Sequence, residues 1–262
     1  MAHLEVIDSH CHLNMLDLAP FEGSLDGVMA AAKDNGVGRM LCISVDKAHI
    51  IEVLSIADQY EHVYATVGIH PSEAVNDEMP VDDIIKLAKH KKVVGIGETG
   101  LDYYYNDTGL DVQRESFARH IQAAHQLQLP IIVHTRSAHQ DTMDIMRSEH
   151  ARDCGGVMHC FTESWEMAKE ALDLGFYISF SGIVTFKNAK NVQEVAAQVP
   201  MDRLLVETDA PYLTPVPYRG KPNGPQHVKL VAEKIAEIKN LSYDEVVRRT
   251  TENFERLFTG CQ

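Results

Sequence analysis

Leu4-Glu5-Val6-Ile7-Asp8-Ser9-His10-Cys11-His12 opens the chain with a short apolar run that stops on two histidines. Seven further aliphatic or β-branched runs bounded by turn residues follow, at 40–45, 63–67, 93–96, 131–133, 156–158, 176–179 and 204–206, the first being 4–7. Most are continuously apolar, as expected of parallel strands covered on both faces. Between them lie stretches with helical spacing. Residues 25–35 end at Gly36 and 165–174 end at Gly175, glycines where a helix C-cap wants them. Residues 112–127 carry Phe117, Ile121 and Ala124 along one face, and Ser242 with Glu245 is a capping-box signal opening a last helix over 243–258. Strand and helix alternating from end to end imply a parallel sheet, and eight repeats imply closure into a single (β/α)8 TIM barrel, an α/β fold of ordinary size for 262 residues. A doubly wound open sheet is the rival architecture. No linker, low-complexity segment or repeat divides the chain, so one domain over 1–262 is expected.

Composition bounds the function. With 45 % hydrophobic and 24 % charged residues, the chain resembles a globular protein able to bury a large core. No apolar run approaches the length needed to cross a bilayer, and Met1 to His10 lacks the basic-then-apolar layout of a secretory signal. Five cysteines, none in a Cys-x-x-Cys pair, suit free thiols in a reducing compartment, so a cytoplasmic location is expected, with no membrane association and no obligate protein partner. The net charge of −14 argues against a protein that coats nucleic acid with a general basic surface. A phosphate substrate must be drawn to a local patch or to bound metal.

The informative residues sit where the apolar runs stop. His10 and His12 follow the first, Glu98 the fourth, His134 the fifth, His159 the sixth and Asp209 the eighth. In a barrel every strand's carboxyl end opens on one mouth, so these six imidazoles and carboxylates converge there. Side chains two apart in extended chain point the same way, so His10 and His12 both face the axis and Cys11 faces away as a packed thiol. A hydrolytic divalent metal wants neutral imidazoles and carboxylates with a position left for water. Glu98 can bridge two ions, and Asp209 can bind a metal and accept a proton from the water. A single histidine at a strand end is more often structural than a ligand; the weight comes from six suitable residues at five strand ends. His49, His62, His90, His120, His125, His139 and His150 fall on helix faces or in loops and read as solvated or packing residues.

His-x-His after the first strand, His after the fifth and sixth and Asp after the eighth resemble the amidohydrolase superfamily. Glu98 at the fourth strand is similar to the TatD family. The resemblance runs through Asp8-Ser9-His10-Cys11-His12-Leu13, Gly68-Ile69-His70-Pro71, Gly97-Glu98-Thr99-Gly100-Leu101-Asp102-Tyr103, Pro130 to Arg136, Glu207-Thr208-Asp209-Ala210-Pro211-Tyr212 and Asn253 to Phe258, nearly the whole chain. It implies a divalent-metal hydrolase typically described as a deoxyribonuclease, with two divalent ions (Mg, Zn or Mn).

Around these ligands, Asp209 and Glu98 are the candidate catalytic residues, Asp209 as the base that orients and deprotonates the water. Glu207 is either an outer partner that fixes a histidine ligand or a barrel-core carboxylate in a structural ion pair. His70, Arg136, Tyr103 and Trp165 are the candidate substrate contacts: His70 beside the metals, Arg136 as a forked phosphate clamp, and Tyr103 (or its neighbours Tyr104 and Tyr105) and Trp165 for stacking on a base. Against these stand a structural role for His70, aromatic loop packing for the tyrosines and, for Arg136, a salt bridge to a carboxylate such as Asp102. Lys187, Lys190, Arg219 and Lys221 form a local cationic rim, although scattered lysines commonly serve only solubility. The leading expectation is phosphodiester hydrolysis from the end of single-stranded DNA, with nucleic-acid ends or a small phosphodiester or ester as partner. The rivals are an ester or amide hydrolase on the same metals, such as an aminoacyl-tRNA deacylase, and a metal-stabilised scaffold without turnover.

Overall fold

The computed structural model describes residues 4–76, 78–104 and 109–261. Eight parallel strands run in chain order around one sheet: β1 (Val6–Cys11), β2 (Val37–Cys42), β3 (Val63–Val67), β4 (Val93–Asp102), β5 (Ile131–Arg136), β6 (Gly156–Met158), β7 (Tyr177–Phe180) and β8 (Leu204–Val206). The intervening helices are α1 (Leu25–Asp34), α2 (Lys47–Gln59), α3 (Val81–Ala88), α4 (Leu110–Leu127), α5 (His139–Ser148), α6 (Trp165–Asp173) and α7 (Lys190–Gln198), with α8 (Val228–Lys239) and α9 (Tyr243–Leu257) after the last strand. The ends of the sheet come together. Asp209 N–H donates to the His10 carbonyl at 2.9 Å and His12 N–H to the Ala210 carbonyl at 2.8 Å. The buried Asp8 carboxylate accepts from Thr208 N–H at 2.9 Å and from the Thr208 hydroxyl at 2.5 Å. The fold is a (β/α)8 barrel, not an open sheet.

Burial follows from the apolar runs. Valines, isoleucines and leucines facing outward meet the apolar stripes of the helices, while a second cluster fills the interior: Ile7, Val94, Ile132, Val157, Tyr177 and Leu205, each near the start of its strand, packed on Phe254 and Phe258. α9 therefore plugs the end of the barrel away from the strand carboxyl ends. Its N-terminus is capped as expected, Ser242 Oγ accepting from Glu245 N–H at 3.2 Å, but the Glu245 carboxylate turns to Arg248 and Arg249. No helix among the described residues is long and apolar enough to cross a membrane.

The strands outrun their apolar cores. β1, β4 and β5 extend to Cys11, Asp102 and Arg136, so His10, Glu98 and His134 lie within strands, not after them. Polar side chains at these ends break the apolar pattern because they face the mouth, while the backbone goes on pairing. Two bulges aim the first two of them. Asp8 pairs with Met40 and Cys11 with Cys42, so three steps on β1 match two on β2. Ile96 pairs with Ile131 and Thr99 with Val133, the same mismatch around Gly97 and Glu98. An extra residue in one strand re-aims its neighbours, and such bulges recur beside active sites. Gly100, at φ +136°, lets β4 lie against β5: a Cβ there would sit 2.0 Å from the His134 carbonyl oxygen.

α4 braces the mouth from outside. His120, fully buried, donates from Nδ1 to the Ser116 carbonyl at 2.7 Å and accepts the Ile69 N–H on Nε2 at 3.1 Å, tethering the turn that carries His70. Burial pushes His120 down to about 4. The unfolded chain therefore takes up its proton first, and this contribution to stability is intact above about pH 6.5 and lost as pH falls toward 4. Urea unfolding at both pH values should show the wild type losing about 3 kcal/mol more than His120→Gln. Equal losses would remove His120 as a source of acid sensitivity.

Candidate metal centre

Glu98 stands at the middle of the mouth. Its Oε1 lies 2.7 Å from His159 Nε2, 3.1 Å from His134 Nδ1 and 3.5 Å from His70 Nε2; its Oε2 lies 3.3 Å from His10 Nε2 and 3.9 Å from His12 Nε2. Asp209 Oδ1 closes the other side, 3.6 Å from His10 Nε2 and 3.5 Å from His12 Nε2. All six expected donors thus meet, and His70 joins them. Three donor groups fall within one ion's reach: His10 with Glu98 and His159; His10 with His12 and Asp209; and His70 with Glu98 and His134.

The hydrogen bonds on the far sides of the rings say which nitrogen each histidine presents. His12 Nδ1 donates to the Ile43 carbonyl at 3.1 Å, leaving Nε2 a lone pair aimed at the centre. His159 Nδ1 faces Glu207 Oε1 at 3.3 Å, with the same consequence. His134 is reversed: Nε2 faces Asp102 Oδ2 at 3.1 Å, so Nδ1 is its inward donor. A carbonyl or carboxylate behind a ligating imidazole sets its tautomer and raises its basicity. His70 differs again. Ser72 N–H donates to its Nδ1 at 3.1 Å, so the neutral ring keeps its proton on Nε2 and offers a donor, as a substrate contact would. Burial pushes His70 down to about 3, the His134 and His159 charges adding to the effect against the pull of Glu98.

A divalent ion fits this set. His10 is fully buried, yet neither of its ring nitrogens has a hydrogen-bond partner among the described residues, which in a protein interior marks a group waiting for one. His10 also stacks on His159 with ring centroids 3.9 Å apart, an arrangement that disfavours two imidazolium charges. Burial would raise the Glu98 carboxyl, but the His159 charge and the His10 contact outweigh it and hold Glu98 well below the usual carboxylate range. Burial likewise opposes the ionised form of Asp209, and the His12 hydrogen bond with the neighbouring histidine charges overcomes it. Two ionised carboxylates among convergent imidazole lone pairs attract positive charge to their centre.

Asp209 is held in place by unusual backbone: φ is +55°, and the amide donates to His10. Glu207, fully buried, accepts from Cys160 N–H at 2.8 Å as well as facing His159, which places it behind a histidine. Cys11 is buried with its thiol on the Leu41 carbonyl at 3.5 Å, as a packed residue.

Five of the six donors, all but the fully buried His10, line a cavity of about 780 Å³. Arg136 lines it and lays its guanidinium over the exposed Tyr104 ring, 3.9 Å from the centroid. Two expected stacking residues do not line it. The Tyr103 hydroxyl donates to Asp141 at 2.7 Å and accepts from Arg114 at 2.9 Å, captured by an ion pair between α4 and α5. Trp165 begins α6 as expected but packs partly buried against the core. Tyr105 lies outside the described residues. Tyr212, which the ETDAPY motif contains but whose exposure no sequence pattern signals, lines the cavity instead. So does His49, expected to be solvated or packing: it pairs through Nδ1 with Asp46 Oδ2 at 2.5 Å. Asp102, weighed only as a partner for Arg136, holds His134 and accepts from Tyr104 N–H at 2.9 Å.

A parallel barrel with this donor set at its carboxyl mouth defines a metal-dependent hydrolase. The family model described as TatD related DNase matches residues 7–259, and the chain belongs to the TatD family. It is 47 % identical over 253 residues to the uncharacterized metal-dependent hydrolase YcfH of Escherichia coli (strain K12), covering 97 % of this chain and 95 % of that one. It is 43 % identical over 256 residues to the uncharacterized metal-dependent hydrolase YabD of Bacillus subtilis (strain 168), covering 97 % and 98 %. The crystal structure of YjjV, a TatD homolog from Escherichia coli K12, superposes with a TM-score of 0.88 at 27 % identity, covering 98 % of each chain.

Proposed function

We propose that this hydrolase is a deoxyribonuclease that cleaves phosphodiester bonds at an end of single-stranded DNA. The observation that carries the reading is Arg136 lining the same cavity as Glu98, Asp209, His12, His134 and His159, its guanidinium set over an aromatic ring. A forked cation beside an acidic donor set matches a substrate that offers phosphate oxygens to both. Five of the donors line a cavity of about 780 Å³, a size that suits a strand end better than the middle of a duplex. Bound divalent ions at His10, His12, Glu98, His134, His159 and Asp209 would lower the pKa of a water and polarise the phosphodiester. The chain's own groups do the rest. Asp209 accepts the proton of the attacking water, His70 donates Nε2–H to a substrate oxygen, Arg136 grips the phosphate, and Tyr104 or Tyr212 offers a face to a base.

Arg136→Lys tests the reading. A charged hydrogen bond is worth roughly 1.5–3 kcal/mol, so kcat/KM on an oligonucleotide should fall about ten- to a hundredfold, much more than on an uncharged ester. Equal losses on both substrates would make Arg136 structural, and hydrolysis of the ester alone by the wild type would favour the ester or amide hydrolase.

A further inference from the structure

Acidic residues are spread through this chain, 38 in 262, but beyond Asp141 two segments of twenty residues or more have none: residues 174–193 and 210–232. The fold brings them together on one side of the mouth. The first contains β7 and the β7–α7 connection, and the second the long β8–α8 connection with the start of α8. They are locked to each other where Val216 N–H donates to Thr185 Oγ1 at 2.9 Å and where a Cβ on Gly182 would lie 1.9 Å from the Leu213 carbonyl oxygen. Both adjoin the catalytic cavity, since Ile183 lines it from one connection and Tyr212 and Leu213 from the other.

The outward surface of this ledge has a distinct chemistry. Lys187, Lys190, Arg219 and Lys221 are all exposed, and among the described residues none of the four is in an ion pair. Elsewhere arginines are tied to carboxylates: Arg39 to Glu255, Arg114 to Asp111 and Asp141, Arg147 to Glu170, Arg249 to Glu245. Aromatic faces alternate with the free cations. Tyr212 is 49 % exposed and Tyr218 41 %. Lys221 Nζ lies 5.6 Å from the Tyr218 ring, and the Arg219 guanidinium sits over Phe186 at 4.1 Å. The backbone underneath is braced. The Asn223 amide donates to the carbonyls of Thr208 at 3.2 Å and Tyr212 at 2.5 Å, and the Thr214 hydroxyl donates to the Lys221 carbonyl at 2.8 Å. A loop held this firmly presents its side chains in a fixed array, which lowers the entropy lost on binding.

We propose that this ledge holds the single strand leading away from the scissile phosphate. Unpaired cations track the phosphates, and Tyr212 and Tyr218 stack successive bases. Exposed aromatic faces interleaved with cations are the common chemistry of sequence-independent single-strand binding. The arrangement also answers how a protein of net charge −14 attracts a polyanion: a patch free of carboxylates adjoins the site, so the repulsion of the remaining surface is local to other faces. The inference rests on the nuclease reading and extends it, because it assigns the substrate's length dependence to residues outside the metal centre.

The test separates binding from cleavage. A fluorescent oligothymidylate blocked against hydrolysis at its terminal linkages is titrated by anisotropy at several salt concentrations, using metal-loaded wild type, Tyr218→Ala, Arg219→Gln and a variant with all four cations changed to Gln. Tyr218→Ala should weaken binding about tenfold, the usual worth of one stacked base. Each lost phosphate contact should reduce the slope of log affinity against log salt by about 0.7. Thermal melts check folding, and Arg219→Gln decides the charge contribution where the fourfold variant melts early. Unchanged affinity and salt slope in the folded variants overturns the ledge even if the wild type cleaves the unblocked strand. A wild type that binds the blocked strand through these residues but cleaves no DNA keeps the ledge and overturns the nuclease reading.

Discussion

Asp209→Asn should leave a folded barrel whose turnover is lower by about 10²–10⁴, the usual cost of removing a general base. The amide fills the same volume and keeps the backbone bond from Asp209 N–H to the His10 carbonyl, so the β1–β8 seam survives. What changes is the acceptor. The carboxylate oxygen that faces His10 and His12 at 3.6 and 3.5 Å is ionised despite burial, and an amide oxygen in its place takes no proton from water. Losing a negative donor also weakens metal binding, so the comparison belongs at saturating metal. Melting within a few degrees of wild type with kcat down by two orders of magnitude or more is the expected pair of results. Near-normal kcat at saturating metal would take the base role away from Asp209.

Glu98→Gln should be more severe, because among the described residues it removes the one carboxylate within reach of all five histidines. Several kcal/mol of charge stabilisation depend on the metal, so a fall in kcat of roughly 10³ or more is expected, together with loss of metal by elemental analysis after dialysis. Wild-type protein should carry divalent metal as isolated, and a chelator should abolish activity. Ligating imidazoles must be neutral, so occupancy should fall as pH drops through about 6.5 and lower. Glu98→Gln retaining both metal and activity would show that the cluster around it is an internal hydrogen-bond network and not a metal centre.

Much of this protein is legible before any folding is considered. β3, β6 and β8 begin and end where the aliphatic and β-branched runs at 63–67, 156–158 and 204–206 do, because a parallel strand covered on both faces favours such residues along its length. The same rule misplaces the ends of β1, β4 and β5. There the strand continues through His10, Glu98 and His134 because its backbone still pairs, while its side chains answer to the mouth. The six candidate metal donors are readable for the complementary reason: an imidazole or carboxylate at the end of an otherwise apolar strand has no packing role to fill.

The sequence by itself therefore determined the barrel, its eight-fold alternation and the residue types that converge at one end, since each follows from hydrophobic pattern and chain order. Only the tertiary structure decided what depends on contacts between distant segments. The bulges at His10 and Glu98 arise from pairing with β2 and β5 and leave no trace in local pattern. The tautomers of His12, His134, His159 and His70 are set by Ile43, Asp102, Glu207 and Ser72, three of them far away in the chain. Tyr103 was drawn into an ion pair between α4 and α5, whereas Tyr212 was left exposed at the cavity, although the two look equally available in sequence. Two acid-free segments became one cationic ledge only because adjacent strands of a closed barrel place their connections side by side. Hydrophobic pattern reports burial one residue at a time, whereas the direction and partner of a polar side chain belong to the pair of segments that meet.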